Sequence, residues 1–486
     1  MSRLFRFVRG SLCVIITLVC CSVLFGQTYK AKQVDTTLEK EKEKVTRALK
    51  SGNVDADRMA TEKFFKEYYF PRWTDPANKS KLYTYRSELL RTDLRDASGN
   101  ARAYLLSTAF GQLSSYAADD TIFPAARFNA MLSIGMLNEK EGDSASSAPT
   151  PYRDALPYLM KEYEKTNNPP FIKIAALEGI VRHAQCGIAN EANKNEVAVL
   201  LRKVIKDGAP QPAPTTRNED EQQLLDWGRT LALQGLQGLK SIGAKAETVD
   251  LLLTVIESEN ESPEFRFAAI RAIGDLDFAA AKTGGISVNL KHLTDAIFLA
   301  TMLACETELK NINDAMLGDP SLGSARGGSS TMDSSYSSSM GMSSGSVTGV
   351  NKLKPNDVIN NSIARVKTSL FSVRNAIQGK ASSFSSNPDA TGITPLLEGE
   401  PALNKKMRAL RDDIVKTCEY LDKGPAESTK TGSLGLLSGS STPSSSDSMS
   451  SSTTTTEANV PKVTLAMIEM KLKELYTNTN ERKLMD

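Results

Sequence analysis

Aromatic residues are few in this chain, which suits helices; histidine and cysteine are scarce too, and each of these two scarcities closes off a kind of chemistry. Only two histidines, His183 and His292, occur in 486 residues. Neither has a partner at metal-ligand spacing, and no His-Glu-x-x-His sequence exists, so a histidine-based metal centre is not written here. Both are expected to be structural. Of the six cysteines, Cys13, Cys20 and Cys21 lie in the first 26 residues. The other three, Cys186, Cys305 and Cys418, are an odd set at wide spacing, which is neither a disulfide framework nor a zinc site. Buried thiols are the expectation; a Cys305–Cys418 bridge is the alternative, because both fall on helices of one bundle. Glycine loops of the Walker and Rossmann kinds are missing. An excess of charge is missing too. The formal net charge is +2, and removing Arg3, Arg6 and Arg9 with the leader leaves −1. Such a chain has no electrostatic footprint for nucleic acid.

Two short motif matches are discounted on context. Gly341-Met342-Ser343-Ser344-Gly345 fits the Gly-x-Ser-x-Gly pattern of serine hydrolases, but it lies in a Ser/Gly tract where the match is cheap. Lys430-Thr431-Gly432 matches one fragment of penicillin-binding enzymes, yet no Ser-x-x-Lys accompanies it. The sequence therefore predicts no catalytic residue, no cofactor and no metal.

What is present is helix, written repeatedly. The clearest stretch is Ser262-Pro263-Glu264-Phe265-Arg266-Phe267-Ala268-Ala269-Ile270-Arg271-Ala272-Ile273-Gly274-Asp275-Leu276. Upstream, Pro124, Arg127, Phe128, Ala130, Ile134, Gly135 and Leu137 recur at the same offsets. Proline at a first helical position loses nothing, because its missing N–H would have been an orphan. Ser262 is a good N-cap, and the late glycine lets another helix come close. Weaker copies begin at Pro170, with Lys173, Ala176, Gly179 and Ile180, and at Asp226, with Arg229, Ala232 and Leu236. Each follows another apolar helix, over 101–117, 151–165, 195–206 and 245–257, which gives four helix pairs. Two connections within them, 141–150 and 208–217, are expected to be long structureless excursions on the surface.

The Pro-x-x-Arg-x-x-Ala-x-x-x-Ile-Gly-x-Leu pattern resembles the HEAT and armadillo class of α-solenoid, over residues 101–280. The resemblance implies a protein-binding array and no particular chemistry. It also implies a role for the basic residues Arg127, Lys173, Arg229 and Arg266. They are expected to form a structural ladder, pairing with carboxylates and carbonyls of adjacent repeats. A line of cations reading an acidic ligand is the other option.

The remaining segments are assigned in order. Residues 1–26 read as a secretory signal peptide, with three arginines before an apolar core; a retained membrane anchor and lipidation at Cys21 are alternatives. Residues 27–100 form an N-terminal helical cap. Its charged helix over 34–50 is a solvated face, and a further helix lies in 77–100. Between them, Phe64–Pro76 is the most aromatic stretch. Phe65, Tyr69 and Trp73 close the first end of the array, or else present an aromatic patch to a sugar or peptide. After residue 280 a C-terminal bundle is expected, with helices in 281–318, 354–423 and 461–486. Ser-rich disordered insertions separate them at 319–353 and 424–460. The seams at Ile359–Ile377 and Leu465–Leu475 pack within the bundle or mate with a second subunit.

The whole is an all-α, exported, non-enzymatic scaffold for protein partners, in a periplasm or cell envelope or secreted. It touches a membrane only if the leader is retained. A self-associating structural component of the envelope is the alternative.

Overall fold

Proline starts and close-packed glycines shape the repeat helices in the computed structural model of the chain, which describes residues 29–142, 147–210, 219–316, 355–379, 392–424 and 463–484. The expected leader, both expected disordered insertions beyond residues 424 and 316, most of the expected excursion at 208–217, and the two discounted motifs lie outside the described residues. The chain divides into two compact units, residues 1–197 and 198–486.

The first unit begins with a 3-10 turn, Thr36–Glu41, running into α1 (Lys42–Ser51). Helix α2 (Arg58–Lys63) continues through a π turn, Phe64–Tyr69, and Pro71 then opens a short 3-10 turn to Thr74. Helix α3 (Leu82–Glu88) likewise continues through a π turn, Leu89–Asp93, to Asp96. Then come α4 (Gly99–Ala118), α5 (Pro124–Met136), α6 (Ala155–Glu164) and α7 (Pro170–Cys186). Between α5 and α6 stands a small antiparallel hairpin, β1 (Asn138–Lys140) and β2 (Thr150–Pro151). The expected structureless excursion at 141–150 is thus pinned at its base by strand pairing.

Helix α8 (Glu191–Asp207) carries the division between the units. The second unit continues with α9 (Glu219–Leu239), α10 (Glu247–Glu257), α11 (Pro263–Asp275) and the short α12 (Phe278–Thr283). It ends with α13 (Leu290–Met316), α14 (Pro355–Gln378), the one-turn α15 (Thr394–Leu397), α16 (Pro401–Lys423) and α17 (Leu465–Leu484). Helix α9 begins seven residues before Asp226 (Glu219 against Asp226), so the third repeat copy sits inside a longer helix instead of opening one.

The glycines of the repeat do what their position predicts. A Cβ on Gly135 would lie 2.5 Å from the Cα of Gly179, so α5 and α7 touch backbone to backbone. A Cβ on Gly274 would lie 2.5 Å from the carbonyl oxygen of Asn375 in α14. Helix α14 therefore takes, against α11, the place that α7 takes against α5. Arg271 reaches Ser372 across the same interface at 3.4 Å. The boundary drawn at residue 281 falls inside the second unit, because the last repeat helix and the C-terminal helices share one core. Ile270, Ile273, Val366, Leu370, Val373 and Ile377 are all buried in it.

The α17 seam is spent in the same chain. Ile468, Leu472 and Leu475 are buried where α17 lies on α13 and α16. Cys305 and Cys418 are buried free thiols, not a bridge. Burial pushes both up to about 12, so neither is a thiolate at neutral pH.

Candidate functional site

The recurring basic residues are the features on which a ligand-reading role would rest, and three of the four share one bond. Arg127 Nε donates to the carbonyl of Ala117 at 3.1 Å, Arg229 Nε to Ile205 at 3.0 Å, and Arg266 Nε to Ile256 at 2.6 Å. Each acceptor lies in the last turn of the preceding helix, α4, α8 and α10 respectively. Carbonyls there lack an intrahelical N–H and carry the negative end of the helix dipole, so a guanidinium satisfies both needs. The bond runs to the helix just before, within a pair, where the repeat pattern suggested partners in adjacent repeats.

Other contacts do reach onward. The Arg127 guanidinium stands 5.8 Å from the Phe171 ring of α7, and that of Arg229 stands 4.1 Å from the Phe265 ring of α11. Arg229 also holds Glu261 through two N–H groups, one of them at 2.9 Å, just ahead of α11. Only 2% of the Arg229 residue is exposed, and Glu261 is buried with it. Burial pulls Arg266 below the usual arginine range. Lys173 is half-buried, and among the described residues no bond of this kind is made by it. A primary ammonium lacks the planar fork that can bond a carbonyl and a carboxylate together.

Phe65, Tyr69 and Trp73 are buried, Trp73 completely. Phe65 and Tyr69 meet edge to face at 5.2 Å between centroids, and Phe70 lies 6.4 Å from Trp73. The rings pack on one another and leave no open face, so the aromatic patch is a core and not a platform. Arg72 fills its polar side. Its guanidinium lies 4.7 to 4.9 Å from the rings of Tyr68, Tyr69 and Tyr85.

Two further arginines clamp the hairpin, and no pattern in the sequence singles them out. Arg102 donates to the carbonyls of Glu139 and Asn138 at 3.1 and 3.0 Å and to the Glu141 carboxylate at 3.0 Å. Arg182 donates to the Gly135 carbonyl at 3.0 Å and to Asn138 Oδ1 at 2.5 Å. Beside Arg182, His183 is buried, and among the described residues its Nε2 has no hydrogen-bond partner. Burial, then the Arg182 charge, push it down to about 4, so it is neutral. His292 is half-buried, and its Nε2 sits 2.5 Å from Glu257 Oε1.

Among the described residues, no group of three or more His, Cys, Asp or Glu is placed to hold a metal ion, and no helix is long and apolar enough to cross a membrane. The chain matches no protein-family model, no curated protein and no solved structure.

Proposed function

We propose that this chain is a HEAT-like helical-repeat scaffold, exported to a periplasm or cell envelope, that binds other proteins and carries out no reaction itself. The use of the repeat arginines carries the reading. Arg127, Arg229 and Arg266 are committed to carbonyls and to Glu261, so they serve the packing of helices and not an acidic ligand. Regular packing of this kind frees the outer helix faces for partners. Trp227 is 38% exposed, and Val199 on the helix before is exposed as well. Trp227 lies about 200° around α9 from the buried Arg229. Exposed tryptophan is a residue type on which protein partners anchor. Export rests on the sequence of residues 1–26.

Self-association through the C-terminal helices is the alternative, and it requires opening the second unit, since Val366, Leu370, Ile468 and Leu472 are buried within one chain.

The test is cross-linking mass spectrometry on the chain expressed from Gln27 and mixed with an envelope extract. Cross-links from residues 101–280 to one other protein, lost with Trp227→Ala at unchanged stability, support the scaffold. Cross-links only between copies, concentrated in residues 355–477, replace it with the self-associating component.

A further inference from the structure

Between Asp75 and Asp96 the chain carries five cations and four acids, and it uses the two kinds differently. The acids are spent inside the N-terminal cap. Asp75 accepts the N–H of Ala77 at 2.9 Å, at the start of a 3-10 turn, Pro76–Lys81, that leads into α3. Glu88 takes Lys42 at 2.6 Å and Arg72 at 3.9 Å, Asp93 takes the Tyr69 hydroxyl at 2.6 Å, and Asp96 takes Lys50 at 3.2 Å. The cations stay outside. Lys79, Lys81, Arg91 and Arg95 are exposed. Of these four, among the described residues, Arg95 alone has an ion pair, with its neighbour Asp96 at 3.9 Å. Helix α5 packs against α3 and contains no acid at all. Arg86 joins the two: its guanidinium donates to Asn129 Oδ1 at 3.3 Å and stands 5.6 Å from the ring of Tyr83. From Asn129 the same side of α5 runs on through Leu132 to Met136, at helical spacing. Tyr83 is 45% exposed and Met136 40%, and Leu132 is half-buried. Helices α3 and α5 thus present apolar side chains beside cations, with every acid of α3 already engaged.

We propose that this face of α3 and α5 is a docking surface for an acidic amphipathic helix of a protein partner. The proposal rests on the reading of the chain as a protein-binding scaffold, and it gives that scaffold a second face, in the first unit. Glutamates and aspartates of such a helix meet the cations, and its apolar side chains cover Tyr83, Leu132 and Met136. Tyrosine and arginine are also residue types on which binding energy concentrates. A lipid surface fits less well. It takes up a broad apolar helix face, whereas each apolar residue here is more than half covered. A nucleic acid matches the cations but leaves Leu132 and Met136 without a counterpart.

Fluorescence anisotropy on the full chain tests this with two labelled amphipathic peptides of about five helical turns. Both carry the same leucines; one has glutamates on its polar face and the other lysines. The glutamate peptide is expected to bind about tenfold more tightly or better, and to weaken as salt rises. Reversing two cations together, Lys79→Glu with Arg91→Glu, is expected to weaken it about tenfold or more, because attraction becomes repulsion at both positions. Met136→Ser is expected to weaken it severalfold. Lys203→Glu with Lys206→Glu, at exposed positions of α8, changes the net charge equally and is expected to leave binding as it was. All these side chains are at the surface, and an unchanged melting temperature certifies each variant. Equal binding of the two peptides overturns the proposal, as does a Lys79→Glu/Arg91→Glu chain that binds like the parent. Tighter binding of phosphatidylglycerol vesicles, or of a single-stranded oligonucleotide of equal charge, overturns it too and assigns the face to a membrane or a nucleic acid. The result is separate from the Trp227 test. Partners captured from the extract equally by parent and double variant remove this face and leave the scaffold, whereas an extract that yields no partner removes the scaffold reading and leaves the peptides to decide this face.

Discussion

In the first unit the repeat glycine finds its neighbour nearby, and in the second it finds one from the far end of the chain. Gly135 abuts Gly179 of the next helix pair, and Arg182 reaches back 47 residues to the Gly135 carbonyl. Gly274 abuts Asn375, and Arg271 reaches Ser372, 101 residues on. The geometry of close approach is shared, while the range in sequence doubles. Doubling a loop costs only about 0.6 kcal/mol in closure entropy. The same glycine position thus takes a partner from the next helix pair or from the far end of the chain, and a long insertion before that partner is cheap. The arginines differ in the same sense. Arg127 bonds one carbonyl and stands off a ring, whereas Arg229 also holds a buried carboxylate.

The difference between the arginines is broken most forcefully at Arg229. Arg229→Ala leaves Glu261 buried and unpaired, and is expected to cost about 3–5 kcal/mol. Arg127→Ala orphans one carbonyl and is expected to cost about 1–2 kcal/mol. The two tryptophans, Trp73 in the first unit and Trp227 in the second, report denaturant unfolding of each unit separately. Equal losses from the two substitutions would show that the carboxylate adds nothing.

Close approach itself is tested by Gly274→Ala. The added methyl meets the Asn375 carbonyl and cannot be relieved by turning a side chain, so about 2 kcal/mol is expected to be lost from the second unit. Loss of protection in α14 by hydrogen exchange marks the site of the damage. A Gly274→Ala chain as stable as the parent would break the analogy between α14 and α7.

A pH effect of similar size belongs to the first unit alone. His183 is held down to about 4 by burial, so its contribution is present above about pH 6.5 and is lost as the pH falls through about 4. The His183 loss is read as the difference between the parent and His183→Gln, in which the titration of every other group cancels. That difference is expected to be about 2 kcal/mol at pH 4.5. A parent and variant with the same acid slope would remove His183 from the account. The smallest effect is a gain. In α4 nothing lies within 4 Å of a Cβ placed on Gly111, so Gly111→Ala is expected to stabilise the first unit by about 0.5–1 kcal/mol. It separates helix propensity from packing in the same measurement.

Much of the fold was legible because its signals are local. Pro124, Pro170 and Pro263 open helices, Ser262 accepts from the Phe265 N–H at 3.2 Å, and the seams of α14, α16 and α17 face inward. The close approach at Gly135 and Gly274 was legible as a need, but not its partner, since nothing in α11 names Asn375. The π turns were illegible because one extra residue in a helix leaves the apolar spacing of Phe64, Phe65, Tyr68 and Tyr69 intact. Glu261 looked like one acid among many, because only folding places it on Arg229. Arg102 and Arg182 carry no periodic mark, and their hairpin is too short to show strand alternation.

The docking of α14 on Gly274 also sets a timetable. Every contact of the first unit can form once about 200 residues have been made, while the chain is still growing. The face of α11 has no such option. It waits uncovered while about 100 further residues are added, on the order of 10 s at common rates of synthesis. For that interval Gly274 and Arg271 lack the helix they pack against. The second unit therefore closes only when residues about 100 positions further along the chain have been made, whereas the contacts of Gly135 in the first unit span fewer than 50.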